Sequence, residues 1–303
     1  MSTQEKIKLN QQCKNTQDKQ ISLTIDAQQK DLGGFKVFRV LPAAQKKMIG
    51  PWIFVDEMGP ADFDAGDGIN VRPHPHINLA TVTYLFRGQM EHRDSLGSDE
   101  VIQPGDVNIM VAGRGIAHSE RQGENINHKN HHLHGLQLWL ALPEADEETD
   151  PSFHHYSAED IPQFTRDSAH VRLIIGELFD HRSPVKTFSE TLYAVFDLPK
   201  NKKITLPKLS EYGVYVISGR LKSNQQTIKA QTMALMNHRN PVHLQAEEDT
   251  RFVILGGAPL GNRYIEWNFV SSRKERIEQA KDDWKNQRFE PIPGDNEEFI
   301  PLP

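Results

Sequence analysis

The chain has 303 residues, is 37% hydrophobic and 25% charged, and carries a formal net charge of −6. That length allows one large or two ordinary domains, and the acidic balance without a Lys/Arg cluster argues against direct nucleic-acid contact. One cysteine, Cys13, excludes an intrachain disulfide framework and a thiolate metal site, and no apolar leader or run of about 18 apolar residues is present, so the expected location is cytoplasmic, off the membrane.

In chain order, residues 1–20 read as a polar, Gln-rich tail, and Ile21–Ile25 alternates apolar with polar as an edge strand does. Gly33-Gly34 is a turn before a strand over Phe35–Val40, Trp52–Val55 is a short apolar strand, and Asp56–Asn70 is a long loop rich in Gly, Pro and Asp. From residue 77 the strands come quickly: Leu79–Phe86, Gln89–Arg93, Val101–Gln103, Val107–Val111, one through His118 and Glu120, and a closing strand Leu136–Leu142. Pro104-Gly105-Asp106 is a turn, because proline fixes φ and glycine supplies φ > 0. Residues 143–165 are acidic, hold Pro143, Pro151 and Pro162, and read as a linker. A second β-rich run follows, with strands over Val171–Gly176, Thr191–Leu198, Tyr212–Ile217, Thr232–Met236 and Phe252–Leu255. Then the period changes. Ile277, Ala280, Lys281 and Trp284 share a helical face within Ser271–Arg288, and a tail with four prolines closes the chain. Short strands at this spacing indicate an all-β sandwich or barrel. The expected division is a tail with a possible edge strand over 1–30, a first β domain over 31–150, a second over 151–270, and a helix and tail over 271–303.

Two short motifs carry chemistry. In a strand, side chains at i and i+2 share a face. His74-Pro75-His76 can therefore aim two imidazoles inward, and His118-Ser119-Glu120 an imidazole and a carboxylate. If the two strands face each other, three neutral nitrogens and one anionic oxygen converge, a set that suits Fe(II), Mn, Ni, Cu or Zn. The halves of the chain resemble each other weakly: Tyr84–Gly88 parallels Tyr215–Gly219. A shift of 131 residues sets Thr205 and Pro207 where His74 and His76 stand, and His243 near the place of His118, so the second half reads as a metal-free copy.

Other clusters carry weaker signals. His128, His131, His132 and His134 read as solvated loop residues. His92 and Asp94 read as strand-end polar residues rather than groups that orient a ligand. Gly113-Arg114-Gly115 is a tight turn, not a phosphate loop, although Arg114 can approach a cavity mouth. Phe54, Phe86, Met90 and Met110 are barrel core, with a few of them lining any cavity beside the ligands.

The stretch from Gly68 to Glu120 resembles the pirin family of bicupins. Gly68 followed after five residues by His74-Pro75-His76 is similar to the first cupin motif, and Pro104-Gly105-Asp106 with Gly113 and His118 to the second. The general cupin pattern places a Glu four or five residues after the first motif, where this chain has Ala80 and Thr81. In pirins a Glu two residues past the second-motif histidine takes its place, and Glu120 stands there. Met110–Glu120, Leu133–Trp139 and the ending Phe299–Pro303 are also pirin-like. The resemblance covers residues 30–303.

The resemblance implies an all-β bicupin, two jelly-roll-type antiparallel barrels plus a C-terminal helix. It implies one divalent transition metal in the first barrel, usually iron, held by His74, His76, His118 and Glu120. Some bacterial members resemble quercetin 2,3-dioxygenases in activity, so one expectation is a dioxygenase taking O2 and a small aromatic enol such as a flavonol. Glu120 would then also be the general base, leaving the metal to take the substrate hydroxyl proton. The animal member is described as a redox-sensitive transcription cofactor, so the alternative is a metal-dependent regulator acting through a protein partner. An isomerase or storage-type cupin is a third reading. Fold alone does not choose among them.

Overall fold

The computed structural model describes residues 20–31, 35–237 and 241–303, so the tail with Cys13 and the Gly33-Gly34 turn lie outside the described residues. Alternating apolar residues build two barrels, each a seven-stranded sheet facing a four-stranded one. In the first barrel the large sheet runs Ser152–Tyr156, Val107–Val111, Leu79–Arg87, His131–Ala141, Trp52–Phe63, Lys36–Leu41 and Gln28–Asp31. Its small sheet runs Asn70–His76, Ile116–Arg121, Met90–Asp94 and Asp99–Ile102. The second barrel repeats the plan. Its large sheet runs Ile21–Asp26, Thr232–Met236, Glu211–Ser218, Thr250–Gly257, Thr191–Leu198, Ala169–Ile175 and Gln163–Arg166. Its small sheet runs Lys203–Leu206, Val242–Ala246, Arg220–Ser223 and Gln226–Lys229. The fold is the expected all-β arrangement of two antiparallel jelly-roll-type barrels with a C-terminal helix.

The large sheets pack on each other. Val55, Val82, Leu136 and Leu138 of the first share one buried cluster with Tyr193, Tyr215 and Val253 of the second. Polar pins cross the same interface: Trp52 Nε1 donates to the carbonyl oxygens of Leu192 (3.2 Å) and Gly256 (3.1 Å), and the Tyr215 hydroxyl to Glu57 (2.6 Å). The N-terminal segment ties the barrels further. Ile21–Asp26 is the edge strand of the second large sheet and Gln28–Asp31 of the first, with only Ala27 between them.

Several elements differ from the sequence expectation. Trp52–Phe63 is one twelve-residue strand, where the sequence suggested a short strand and then a loop. Gly59 takes φ +75 and a side chain there would meet the Leu133 carbonyl oxygen at 2.3 Å, so a glycine-specific bulge lets the strand pass Gly59-Pro60 and go on pairing. Its partner is longer too: His131–Ala141 takes in three histidines expected in a loop. The 143–165 segment is not a bare linker. Ser152–Tyr156 pairs with Val107–Val111, and Gln163–Arg166 with Ala169–Ile175, so each end joins a different barrel. The helix is Lys274–Lys285, shorter than expected, and buries Ile277, Ala280 and Trp284 while Lys281 pairs with Glu266.

Candidate metal centre

The centre lies in the small sheet of the first barrel. Asn70–His76 and Ile116–Arg121 run antiparallel with His118 opposite His74 and Ile116 opposite His76, and a bulge between His118 and Glu120 sets Glu120 opposite Val71. The three imidazoles point inward and are buried. One ring nitrogen from each of His74, His76 and His118 lies within 4.8 Å of the others, the only such cluster among the described residues.

Burial keeps these rings neutral. Desolvation lowers His74 to about 4 and holds His76 and His118 well below the usual histidine range, with the neighbouring imidazoles adding to the effect. Two of them have their donor occupied: His74 Nδ1 lies 2.9 Å from the Arg72 carbonyl oxygen and His76 Nδ1 2.9 Å from that of Asn268. A carbonyl accepts only, so each Nδ1 holds the proton and each Nε2 turns a lone pair inward. His76 Nε2 and His118 Nε2 are 3.1 Å apart. The donor set therefore fits a divalent transition ion.

Glu120 is buried but lies outside the three-histidine cluster. Its Oε1 accepts from Gln137 Nε2 at 2.7 Å, and the side-chain Oε1 of Gln137 accepts from the Thr83 hydroxyl at 2.7 Å. Burial pushes its carboxyl up to about 7, against the opposing pull of the Gln137 bond.

Beside His74, His76 and Glu120 opens a cavity of about 640 Å³ with a mainly apolar, aromatic wall. Trp139 meets His76 in a T-shaped contact at 5.0 Å and stacks on Phe54 at 4.1 Å. The Arg39 guanidinium lies 4.5 Å over Phe54 and is held by both Asp56 oxygens at 2.9 and 2.8 Å. Gln137 and Trp139 share a strand face, a signal present in the sequence; Asn268, from the far end of the chain, had none.

The remaining candidates sort clearly. Of the four suggested apolar residues only Phe54 lines this cavity; Met90 and Met110 are core, and Phe86 packs against Tyr84. His131, His132 and His134 are strand residues that contact Phe63, Asp62 and Glu57 respectively. Arg114 pairs with Asp150 at the surface. His92 and Asp94 are not solvated strand ends: both are buried and contact each other beside His118. In the second barrel Thr205 is the register partner of His243, but both point outward, and Ile204, Leu206, Val242 and Leu244 fill the interior.

Two stacked jelly-roll barrels, the first with three buried inward imidazoles beside a cavity, define a bicupin with a metal-type site. Residues 34–140 match the pirin family model and residues 193–290 that of the pirin C-terminal cupin domain. A pirin-like protein of Caulobacter vibrioides is 45% identical over 287 residues, 93% of this chain and 99% of the relative. The chain belongs to the pirin family. Among solved structures, a quercetin 2,3-dioxygenase of Acinetobacter baumannii superposes with a TM-score of 0.86 at 32% identity, covering 93% of this chain and 94% of that one. A bacterial pirin of Escherichia coli in complex with nickel(II) shares the fold, with a TM-score of 0.62 at 17% identity over 78% of this chain and 99% of that one.

Proposed function

We propose that this protein is a metal-dependent dioxygenase acting on a small aromatic enol of the flavonol type, with O2 as co-substrate and Fe(II) as the metal. The observation that carries the reading is the aromatic cavity of about 640 Å³ that meets His74, His76 and Glu120, two of the three clustered imidazoles and a carboxyl group. A volume of this order suits a small organic ligand, and the likeness to a quercetin 2,3-dioxygenase supports the substrate class.

In this reading His74, His76 and His118 hold the metal and Glu120 is its fourth ligand. When bound, the metal supplies Lewis acidity and a redox partner for O2. The chain's own residues do the rest. Phe54 and Trp139 form a wall that excludes water and accepts a flat ring. Glu120 takes the proton of the substrate hydroxyl on a carboxylate oxygen. Its ordinary affinity for a proton is raised to about 7 by burial, close to what a base working near neutral pH needs. Gln137 reaches from the opposite sheet and donates to one oxygen of that carboxylate, which orients it.

The test is oxygen uptake with quercetin, normalised to bound metal. A glutamine at this position keeps the shape but cannot accept the proton. Glu120→Gln is expected to lose at least about a hundredfold in turnover, the lower end for a general base, while metal content falls far less. Normal turnover by Glu120→Gln would remove Glu120 as the base. No oxygen uptake by the metal-replete, reduced wild type on any of a panel of enols would overturn the enzymatic reading.

A further inference from the structure

We propose that His92 and Asp94 form a positioning pair that keeps the proton of His118 on Nδ1 and so aims its Nε2 lone pair at the centre. The inference rests on His118 being a metal ligand. The strand Met90–Asp94 pairs with Ile116–Arg121 on the side away from Asn70–His76, and sets Asp94 opposite His118 and His92 opposite Glu120. His92 is 5% exposed and Asp94 is fully buried.

The proton positions follow link by link. His92 Nε2 lies 3.0 Å from Asp94 Oδ2. Asp94 is fully buried with Oδ1 accepting two backbone N–H groups and Oδ2 facing His92, so the carboxyl sits among donors and acts as the acceptor. An ionised carboxylate only accepts, so the bond requires His92 to donate from Nε2. In a neutral imidazole Nδ1 is then the bare nitrogen. It faces His118 Nδ1 at 3.4 Å, a contact that is favourable only when His118 supplies the proton. His118 Nε2 is left with its lone pair directed at His76 Nε2, 3.1 Å away. His74 and His76 reach the same tautomer through backbone carbonyls. Among the described residues no such carbonyl contacts the His118 ring, and the pair supplies the acceptor instead.

The pair is also fixed in place. Asp94 Oδ1 accepts from the backbone N–H groups of Leu96 at 2.9 Å and Ser98 at 3.1 Å, which anchors the carboxylate in its turn. The His92 ring stacks on Phe153 with centroids 4.4 Å apart and planes 14° from parallel, which opposes rotation. A carboxylate that acts through an imidazole also raises the basicity of the ligand ring, as outer partners of metal-bound histidines do.

Asp94→Asn reverses the chain of donors. The asparagine oxygen can keep the bonds to Leu96 and Ser98 while its amide donates to His92 Nε2, which drives the proton onto His92 Nδ1 and then onto His118 Nε2. Zn(II) affinity, measured by chelator competition, is expected to fall about 10- to 100-fold, with the thermal midpoint of the metal-stripped protein unchanged. Nitrogen-15 spectra of the Zn(II)-loaded wild type should show His92 protonated on Nε2 and bare on Nδ1. His92 protonated on Nδ1, or an Asp94→Asn affinity less than tenfold below wild type, overturns the proposal. If Asp94→Asn does not fold, the wild-type spectrum decides alone. A companion His118→Ala variant separates the two failures. Zinc lost there but kept in Asp94→Asn sinks only the pair, whereas zinc kept in His118→Ala sinks the metal reading with it.

Discussion

Each imidazole of the centre is buried without a counter-charge against it, and that has a cost in acid. His74 falls from an ordinary 6.5 to about 4 on folding, chiefly by desolvation, so the folded state disfavours its protonated form. A group lowered in this way contributes stability that is whole above about 6.5 and is lost as pH falls through the window down to about 4. With about 1.4 kcal/mol per unit, His74 alone accounts for at most about 3.5 kcal/mol. Metal-stripped wild type should therefore lose more stability than metal-stripped His74→Gln between pH 7 and 4, as read from urea midpoints. Equal pH slopes for the two would contradict the burial argument. The convergence of His74, His76 and His118 was legible, because i, i+2 spacing in a strand is a local rule. What held them was not. Gln137 and Asn268 come from other strands and loops, and the strand-end reading of His92 and Asp94 failed because burial depends on Phe153 and the neighbouring strand.

At the scale of elements, bulges and phase decide what composition cannot. Gly59-Pro60 looks like a loop by residue type, yet the strand continues past it because the neighbouring strand extends to His131. The repeat shows the same limit in another form. A shift of 131 aligns Thr205 with His74, but Thr205 faces outward, and a one-residue slip moves a whole strand to its other face. The aliphatic side chains Ile204 and Leu206 occupy the interior there, and they offer no donor to a metal. The edge strand Ile21–Asp26 was readable as a strand, but not as part of the second barrel, since strand partners hundreds of residues apart leave no local mark. Ile25 of that strand is buried in the core shared by both large sheets. Ile25→Ala should destabilise the protein by about 2–5 kcal/mol, seen as a lower thermal midpoint, with metal stoichiometry unchanged. Wild-type stability in that variant would show that the strand is not held there in solution.

Across the whole molecule, one barrel carries the inward histidines and the other is filled, among the described residues, by aliphatic and aromatic side chains. The second barrel's cluster of aromatic and aliphatic residues, with Phe196 and Phe252 stacked at 4.8 Å, includes no inward imidazole among the described residues, and the shared core couples it to the first as a support. The all-β class and the division into two similar halves could be read from turn spacing and the weak repeat; the stacking of the two large sheets and the crossing N-terminal strand could not. The central claim is that one metal sits on His74, His76 and His118 and none in the second barrel. The direct measurement is elemental analysis after anaerobic purification and Fe(II) reconstitution, on wild type, His76→Ala and His118→Ala. About one equivalent in wild type and almost none in either variant is the predicted result. Full occupancy in either variant, or a second tightly held equivalent that survives in both, would contradict it.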